Sequence, residues 1–324
     1  MAPQTGSMYK NFKIGLLIPA FNEAENIGAV LDAVPDYVDF VLVVNDGSAD
    51  NTVEVAEQRG AKVISHKKNK GVGATFNSGV KYMLTTDIDV MVNMDADGQF
   101  NPDDIEKLLR PIVDNLADFV TASRFMNKSM IPKMSGIKKW GNYRMAKLIS
   151  RLTGQKFFDV SCGFRAYTRE VLYKMNLFGT FTYTQETFID LAFKNVDMME
   201  VPVVVRGKRA IGKSRVASNL FRYAYQTSKI ILKTFRDYKP FTLFGFVGLV
   251  FFILGLFALA WMFYHKFDTG AFTPFKWLGF AGGSLILISF ISLLLGFILD
   301  MFARMRHNQE EILFQLKTRN GKKS

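Results

Sequence analysis

Two long stretches without a charged residue, at residues 241–264 and 277–299, most constrain how this chain can fold. Each is close to or longer than the ~20 apolar residues that a helix needs to cross the hydrocarbon core of a bilayer. Two buried core helices are the alternative, but a core helix of a soluble domain normally keeps a polar stripe, and neither stretch has one. The sequence therefore predicts a two-helix transmembrane hairpin over residues 240–300.

The charges around this hairpin predict its orientation. The loop between the spans is short and contains only Lys266 and Lys276 against Asp268. Basic residues on the two outer flanks are more numerous: Lys229, Lys233, Arg236 and Lys239 before the first span, and Arg304, Arg306, Lys317, Arg319, Lys322 and Lys323 after the second. The positive-inside rule predicts an integral membrane protein with both termini in the cytoplasm. Residues 1–13 lack an apolar core segment, so no signal peptide is expected there.

The net charge of +12 raises the question of a nucleic-acid partner. The basic residues crowd into residues 128–151 and 206–215 and the flanks of the hairpin, where phosphate groups or anionic lipids are simpler partners. We therefore expect no nucleic acid as partner. The single cysteine, Cys162, excludes an intramolecular disulfide and a cysteine metal cluster.

Residues 13–205 alternate apolar runs with amphipathic stretches, which predicts an α/β domain with a Rossmann-like open sheet. Helix starts are predicted at Asn22, at Asp50 and at the sequence Asn101-Pro102-Asp103, and residues 71–84 should form another helix. The predicted strands lie at residues 14–18, 40–44, 62–65, 90–93 and 119–121. No Gly-x-Gly-x-x-Gly follows the first strand, which argues against a nicotinamide enzyme.

Two regions have other patterns. Residues 125–139 have neither helical nor strand period, which predicts a long loop, either a functional lid or a disordered surface insertion. Residues 216–239 are expected to form an amphipathic helix at the membrane interface, between a folded domain at 8–215 and the hairpin. The tail at 301–324 could form a second such helix and could support a homo-oligomer.

The strongest local signal is the sequence Asn93-Met-Asp95-Ala96-Asp97-Gly-Gln99, directly after a predicted strand. In open α/β sheets, ligands bind beyond the carboxyl ends of the strands. Carboxylates there can ligate a hard cation such as Mg²⁺ or Mn²⁺, which prefers oxygen ligands and often shares them with substrate phosphates. Gln99 adds a neutral oxygen. A second Asp-x-Asp, at residues 87–89, falls at the start of the strand and is not expected to bind metal.

Asp46 also follows a predicted strand, in the sequence Asn45-Asp-Gly-Ser48. A carboxylate at that edge can accept hydrogen bonds from a base or a ribose, and the alternative is a turn or helix-cap residue. Since Asp50 is already available as a cap, Asp46 is free for ligand binding.

These motifs together resemble a known family. Pro19-Ala-Phe-Asn-Glu23, Asn45–Ser48, Asn69-Lys-Gly-Val-Gly73 and Asp95–Gln99 have the order and spacing of the family-two glycosyltransferases of GT-A fold. Ser161-Cys-Gly-Phe-Arg165 and Arg209-Ala-Ile-Gly-Lys-Ser214, followed by a hairpin, look like the dolichyl-phosphate mannose synthase and polyprenyl-phosphate glucosyltransferase branch. The resemblance extends from residue 13 to about 299.

The resemblance implies roles for individual residues. Asp95, Asp97 and Gln99 would hold the metal and the donor diphosphate, with Ala96 between them in the nucleotide-sugar site, and Arg209, Lys213 and Ser214 would reach over that diphosphate. Residues implied for the base and ribose of the nucleotide-sugar are Pro19, Ala20, Phe21, Glu23, Asp46, Lys70 and Gly71. Glu186 matches an acidic position that touches sugar hydroxyls, with a plain helix-face residue as the alternative.

The resemblance also implies ligands for the acceptor phosphate. Arg124 would face it, as in similar enzymes, which also carry an Arg and, four residues on, a Ser for this phosphate. Here Lys138 and Asn142 hold those two positions, and Lys139 or Arg144 could share the role.

The implied reaction is transfer of a hexose from UDP-hexose or GDP-mannose to dolichyl or undecaprenyl phosphate, with inversion and a divalent cation, on the cytoplasmic face. A phosphate monoester has a second pKa near ~6, so its oxygen is already anionic and needs no strong general base. One alternative is a processive polysaccharide synthase. Such enzymes carry a Gln-x-x-Arg-Trp motif, and none of Trp140, Trp261 and Trp277 stands in that sequence. The other alternative is a non-catalytic scaffold that binds nucleotide-sugar or lipid.

Overall fold

The computed structural model describes residues 9–177, 183–206, 228–229, 232–233 and 235–321. The chain divides into two compact units. The larger comprises Met1–Ile231 with Phe314–Ser324, and the smaller comprises Leu232–Leu313.

A seven-stranded mixed sheet forms the centre of the larger unit, with strand order β3-β2-β1-β4-β6-β5-β7. Its strands are β1 (Ile14–Ala20), β2 (Phe40–Asn45), β3 (Lys62–Ser65), β4 (Val90–Asn93), β5 (Phe119–Ser123), β6 (Arg165–Thr168) and β7 (Met198–Pro202). β6 runs antiparallel to its neighbours β4 and β5, and the other pairs are parallel. The carboxyl ends of β1, β2, β4 and β5 therefore meet at one edge of the sheet.

Helices cover both faces of this sheet. They are α1 (Ala24–Asp32), α2 (Thr52–Gln58), α3 (Val72–Met83), α4 (Ile105–Val113), α5 (Gly136–Thr153), α6 (Arg169–Lys174) and α7 (Thr184–Phe193). On one face, Leu16 and Ile18 of β1 belong to the same core as Ile27 of α1. On the other, Leu17 packs in a core with Phe76 of α3. Because successive strand residues point to opposite faces, a strand covered on both faces has a continuous apolar sequence.

All five predicted strands are confirmed, with ends that extend the prediction by two residues at most. β6 and β7 were not predicted. β6 is four residues long and begins with Arg165, and β7 lies at the end of the strand order with every residue half-buried. Neither has a buried apolar run like those of β1, β2, β4 and β5.

Two local predictions were wrong. Asn22 does not cap α1, because its backbone has a φ of 51° and its side-chain oxygen accepts the N–H of Ala49 at 2.7 Å. Asp50 accepts the N–H of Ala24 at the start of α1, and also that of Thr52 at the start of α2, as predicted. The irregular loop predicted for residues 125–139 ends earlier, since α5 begins at Gly136 and the Ser135 hydroxyl accepts the N–H of Lys138.

Two of the described helices are long and apolar enough to cross a membrane: α8 (Pro240–Thr269), which lies in the smaller unit, and α9 (Lys276–Gly321), which belongs to that unit as far as Leu313. They approach closely at two glycines. A Cβ on Gly255 would lie 2.9 Å from the Gly282 carbonyl oxygen, and a Cβ on Gly282 would lie 3.0 Å from the Gly255 carbonyl oxygen. α9 continues beyond residue 300 without a break, so residues 301–321 extend the second apolar helix. Most of the interface helix predicted at 216–239 lies outside the described residues.

Candidate active site

The loops that follow β1 and β2 are joined by hydrogen bonds between their backbones and side chains. The N–H of Asn22 donates to the Ser48 hydroxyl at 2.8 Å, and the N–H of Glu23 donates to the Thr52 hydroxyl at 2.9 Å. The N–H of Asp46 donates to the Ala20 carbonyl at 2.8 Å. The two motifs predicted to bind the nucleotide, Pro19–Glu23 and Asn45–Ser48, are thus joined into one wall at the carboxyl ends of β1 and β2.

Asp46 is buried at this wall and binds the loop that leads into α3. Its carboxylate accepts the backbone N–H groups of Lys70 and Gly71, both at 2.9 Å. Gly47 makes this approach feasible: it has a φ of 75°, and a Cβ there would lie 2.8–3.0 Å from backbone atoms of Lys68 and Asn69. Three of the predicted nucleotide-binding residues, Asp46, Lys70 and Gly71, are therefore in direct contact.

The Asp95–Gln99 turn follows β4 at the same edge. Asp97 is only 5% exposed and its carboxylate accepts the N–H of Gln99 at 3.1 Å, whereas Asp95 and Gln99 are half-buried. Among the described residues, no three His, Cys, Asp or Glu side chains are grouped so as to hold a metal alone. Mg²⁺, however, commonly takes one or two carboxylates and completes its shell with water and substrate phosphates.

Gly163 leaves space beside the Asp95 carboxylate. A Cβ at Gly163 would lie 3.1 and 3.2 Å from the two Asp95 oxygens and 3.3 Å from the Tyr183 hydroxyl. The side chain of Asn93 donates to the Gly163 carbonyl at 2.8 Å and to the Tyr183 hydroxyl at 2.7 Å. The donor set of carboxylates and an amide oxygen, in a cradle that any larger residue would fill, fits a hard divalent cation.

Tyr183 remains a neutral phenol in this position. Burial raises its pKa well above the usual value, and the negative charge of Asp95 raises it further. Its ring stacks on Phe76, with ring centroids 4.0 Å apart. The aromatic pair therefore fixes a hydroxyl group behind Asp95.

Arg124 follows β5 and is held by a second cluster of polar side chains. It donates to both carboxylate oxygens of Asp159, at 2.6 and 2.9 Å, and to the Ser161 hydroxyl at 2.7 Å. The Ser161 hydroxyl in turn donates to the Asn142 side-chain oxygen at 2.8 Å. Arg124 and Asn142, both predicted to face the acceptor phosphate, are thus linked through Ser161.

Glu200 of β7 binds the backbone of the loop that carries Asp159. Its carboxylate accepts the backbone N–H groups of Phe158 and Asp159, each at 2.8 Å. Burial raises the pKa of Glu200 to about 7, although these two hydrogen bonds act in the opposite direction. The protonation state of Glu200 therefore affects the loop that carries Asp159, because this carboxylate accepts hydrogen bonds from that loop.

The remaining predicted residues differ in their surroundings. Lys138 lies on α5 one turn before Asn142 and is exposed. Glu186 is 4% exposed on α7, so it is not a solvent-facing helix residue. Pro19, Ala20, Phe21, Glu23 and Ala96 lie at the edge formed by β1, β2 and β4. Arg209, Lys213 and Ser214 lie outside the described residues, and the described chain before them ends at Arg206, whose N–H donates to the Gln99 carbonyl at 3.0 Å.

Several residues that contact the site were not singled out from the sequence. They are His66, Asp159, Ser161, Gly163, Tyr183 and Glu200. Ser161 and Gly163 belong to the Ser161–Arg165 motif, for which the sequence implied no individual roles. His66 directly follows β3, so the rule that identified Asp46 could also have identified it. The others become visible only when strands distant in sequence are paired.

The sequence matches the family model described as glycosyl transferase family 2 over residues 16–175. The chain is 33% identical to the UDP-N-acetylglucosamine–dolichyl-phosphate N-acetylglucosaminyltransferase of Methanococcus voltae, over 49% of this chain and 70% of that protein. It is 31% identical to the polyprenol monophosphomannose synthase of Mycolicibacterium smegmatis, over 64% of this chain and 83% of that protein. It is 30% identical to the dolichyl-phosphate hexose transferase of Haloferax volcanii, over 63% of this chain and 92% of that protein.

Solved structures share the fold. The glucosyl-3-phosphoglycerate synthase of Mycobacterium tuberculosis, in complex with Mn²⁺, UDP and phosphoglyceric acid, superposes with a TM-score of 0.56 and 21% identity. The match covers 70% of this chain and 79% of that one. The mixed sheet is thereby confirmed as the GT-A architecture that the motifs predicted.

Proposed function

The chain belongs to glycosyl transferase family 2 and is a glycosyltransferase, and from this premise we propose that it transfers a hexose from a nucleotide-sugar to a polyprenyl phosphate. One observation carries the proposal. The motifs for nucleotide, metal and acceptor follow β1, β2, β4 and β5, and the sheet topology gathers all four carboxyl ends at one edge. Donor and acceptor groups can therefore meet there.

The relatives support a lipid phosphate as the acceptor. Those named above include transferases to dolichyl phosphate and a polyprenol monophosphomannose synthase. A polyprenyl chain needs an apolar environment, and α8 and α9 supply helices long and apolar enough to cross a membrane. We propose that the lipid bilayer delivers the acceptor phosphate to Arg124, Lys138 and Asn142.

Mg²⁺ or Mn²⁺ would be held by Asp95, Asp97 and Gln99, together with the diphosphate of the donor. The cation would neutralise charge that develops on the leaving diphosphate. The Mn²⁺ and UDP complexes of the mycobacterial fold neighbour support this assignment. Arg209, Lys213 and Ser214 would bind the same diphosphate, as the resemblance to the family implies.

The nucleotide would lie against the wall formed by the first two loops. Pro19, Ala20, Phe21, Glu23 and Ala96 would border it, and Asp46, fixed by Lys70 and Gly71, would accept a hydrogen bond from the base or ribose. Glu186, which is buried on α7, would bind sugar hydroxyls, as the resemblance to the family implies.

The reaction is a direct displacement. An oxygen of the acceptor phosphate bonds to the anomeric carbon, the bond from that carbon to the donor diphosphate breaks, and the nucleoside diphosphate leaves with the electron pair. The attacking oxygen is already anionic at neutral pH, so the chain needs to orient it rather than deprotonate it. Attack opposite the leaving group inverts the anomeric configuration.

The proposed organisation has a catalytic domain at 8–215, a juxtamembrane helix region at 216–239, a hairpin at 240–300 and a tail at 301–324. The basic flanks of the hairpin support a cytoplasmic location for the catalytic domain and both termini. Labelling of single introduced cysteines in intact cells would test the orientation. Only a residue in the 265–276 loop should react with a membrane-impermeant reagent from outside.

The test of the activity is a transfer assay with the full chain in detergent. Radiolabelled UDP-hexoses and GDP-mannose are offered with a short polyprenyl phosphate and Mn²⁺, Mg²⁺ or EDTA. We expect a lipid-extractable, metal-dependent product whose anomeric configuration is opposite to that of the donor. Failure of every nucleotide-sugar to label any polyprenyl phosphate, with the protein folded, would contradict the proposal.

A pair of variants separates catalysis from folding in this assay. Asp97→Asn removes a proposed cation ligand and should reduce transfer at least about 100-fold. Asp87→Asn changes the other Asp-x-Asp, which lies before β4 and therefore away from the candidate site. The Asp87 side chain is 78% exposed and pairs with Lys13, so this variant should leave transfer unchanged. Equal loss in both variants would exclude a specific role for Asp97.

A further inference from the structure

His66 connects Asp46 to helix α3. Its Nδ1 lies 2.8 Å from an Asp46 oxygen and its Nε2 lies 2.9 Å from the Ser78 hydroxyl. The imidazole is 10% exposed and the Asp46 side chain 5%. A carboxylate can only accept, so Nδ1 carries the hydrogen, and in the neutral ring Nε2 accepts from Ser78.

This arrangement resembles a Ser-His-Asp triad but lacks the setting of a nucleophile. Ser78 lies inside α3, where the backbone N–H groups serve the helix and cannot stabilise an oxyanion. The consequence of the contact lies instead at Asp46, whose carboxylate is held by His66, directly after β3, and by the backbone of the loop that leads into α3.

The acceptor capacity of Asp46 is almost filled. In the described part of the chain, its Oδ1 accepts from His66 Nδ1 and from the Lys70 N–H, and its Oδ2 accepts from the Gly71 N–H. An ionised carboxylate has about four lone-pair positions. One position therefore remains, on Oδ2.

Nucleobases differ in what they can donate to such a group. The edge of uracil presents a single N3–H between two carbonyls. The corresponding edge of guanine presents N1–H and the 2-amino group side by side, which match both oxygens of a carboxylate at once. With Oδ1 filled, Asp46 can satisfy the first pattern but not the second.

We propose that His66 is a positioning residue that holds Asp46 with one open acceptor position, and that the donor is therefore a uridine rather than a guanosine nucleotide. This inference rests on the proposed function, since it concerns the nucleotide site of the same reaction. It narrows the donor to UDP-hexoses and gives a role to a side chain outside the family motifs.

The first experiment measures binding of UDP and GDP to the full chain in detergent with Mn²⁺, by calorimetry. We expect UDP to bind at least about tenfold more tightly, the effect of one hydrogen bond to a charged group. Equal or tighter binding of GDP overturns the inference, while the transfer assay with GDP-mannose shows separately whether the proposed function stands. Binding of neither nucleotide overturns both.

The second experiment uses substitutions that retain one, the other or neither of the two hydrogen bonds of His66. His66→Asn places a donor near the position of Nδ1, His66→Gln reaches towards Ser78, and His66→Ala removes both contacts. We expect His66→Ala and His66→Gln to raise the KM for the nucleotide-sugar about tenfold, with kcat and the KM for the polyprenyl phosphate unchanged. His66→Asn should recover most of the loss.

A further readout distinguishes this role from a general effect on folding. The preference for UDP over GDP should decrease in His66→Ala, because Asp46 then regains an open position on Oδ1. Ser78→Ala, which leaves the Asp46 contact intact, should keep the preference. An unchanged preference in His66→Ala, or equal effects of Asn and Ala on KM, would overturn the positioning role.

Discussion

Arg124 and Asp159 form a two-pronged ion pair, with Arg124 Nε 2.6 Å from Asp159 Oδ2 and Nη2 2.9 Å from Oδ1. The Asp159 side chain is fully buried and Arg124 is 18% exposed. Burial alone would raise the pKa of Asp159, but the charge and hydrogen bonds of Arg124 outweigh it and lower the pKa. The pair orients the guanidinium that we propose for the acceptor phosphate.

Asp159→Asn should therefore affect both stability and the acceptor. The substitution leaves the Arg124 charge without its buried partner. We expect the free energy of unfolding to fall by about 3 kcal/mol, near the lower end of the range for breaking a buried ion pair. We also expect a higher KM for polyprenyl phosphate and an unchanged KM for the nucleotide-sugar. Asp32→Asn, which breaks the exposed pair with Arg59, is the control and should cost less than about 1 kcal/mol in the free energy of unfolding. Denaturant titration and steady-state kinetics measure these quantities.

Gly163→Ala tests the cradle beside Asp95. The added methyl group would lie 3.1–3.3 Å from the Asp95 oxygens and the Tyr183 hydroxyl, so the carboxylate has to move by a few tenths of an ångström. We expect the Mn²⁺ concentration for half-maximal transfer to rise about tenfold, because ligand placement controls metal affinity. Gly136→Ala, where a Cβ meets nothing within 4 Å, should leave the metal dependence as it is. An identical metal titration for the two variants would refute the role of Gly163.

Glu200 should make the stability of the catalytic domain depend on pH. Its pKa is raised in the folded chain from 4.5 to about 7, so the folded state binds this proton more tightly than the unfolded state. The stabilisation is complete below pH 4.5 and is lost as the pH rises through 7, by at most about 3 kcal/mol. Glu200→Gln should remove this decline.

The measurement for Glu200 is the thermal midpoint between pH 5 and pH 8, taken as the difference between wild type and variant so that other titrating groups cancel. Glu170→Gln is the control, since the Glu170 side chain is 59% exposed in its pair with Lys174. It should keep the wild-type pH profile. A parallel profile for Glu200→Gln and wild type would show that Glu200 does not titrate in this range.

The close approach of α8 and α9 predicts a position-dependent effect of glycine substitutions. Gly255→Leu introduces a side chain whose first carbon already meets Ile286 Cγ1 at 2.8 Å and the Gly282 carbonyl at 2.9 Å, so the two helices must separate. Gly245→Leu lies on the same helix, where a Cβ meets nothing within 4 Å. We expect the thermal midpoint in detergent to fall by several degrees for Gly255→Leu only, because small residues allow helices to pack in membranes. Similar midpoints for both variants would contradict this packing.

Much of the fold follows from the sequence because its signals are local. The strands β1, β2, β4 and β5 can be recognised from their apolar runs, because a strand that is covered on both faces consists mostly of apolar residues. The Asp95–Gln99 turn and Asp46 were found by the rule that ligands bind at the carboxyl ends of strands. The lengths of the two apolar stretches likewise predicted α8 and α9, although the sequence did not show that α9 continues to Gly321.

What the tertiary structure alone decided is which distant side chains share one site. Asp159 and Ser161 contact Arg124 because the antiparallel β6 lies between β4 and β5 and the loop before β6 reaches the end of β5, and Ser161 in turn contacts Asn142. The contact of His66 with Asp46 likewise requires β3 beside β2. Hydrogen bonds between residues far apart in sequence depend on strand order and register, and no local pattern of residue types encodes either of these.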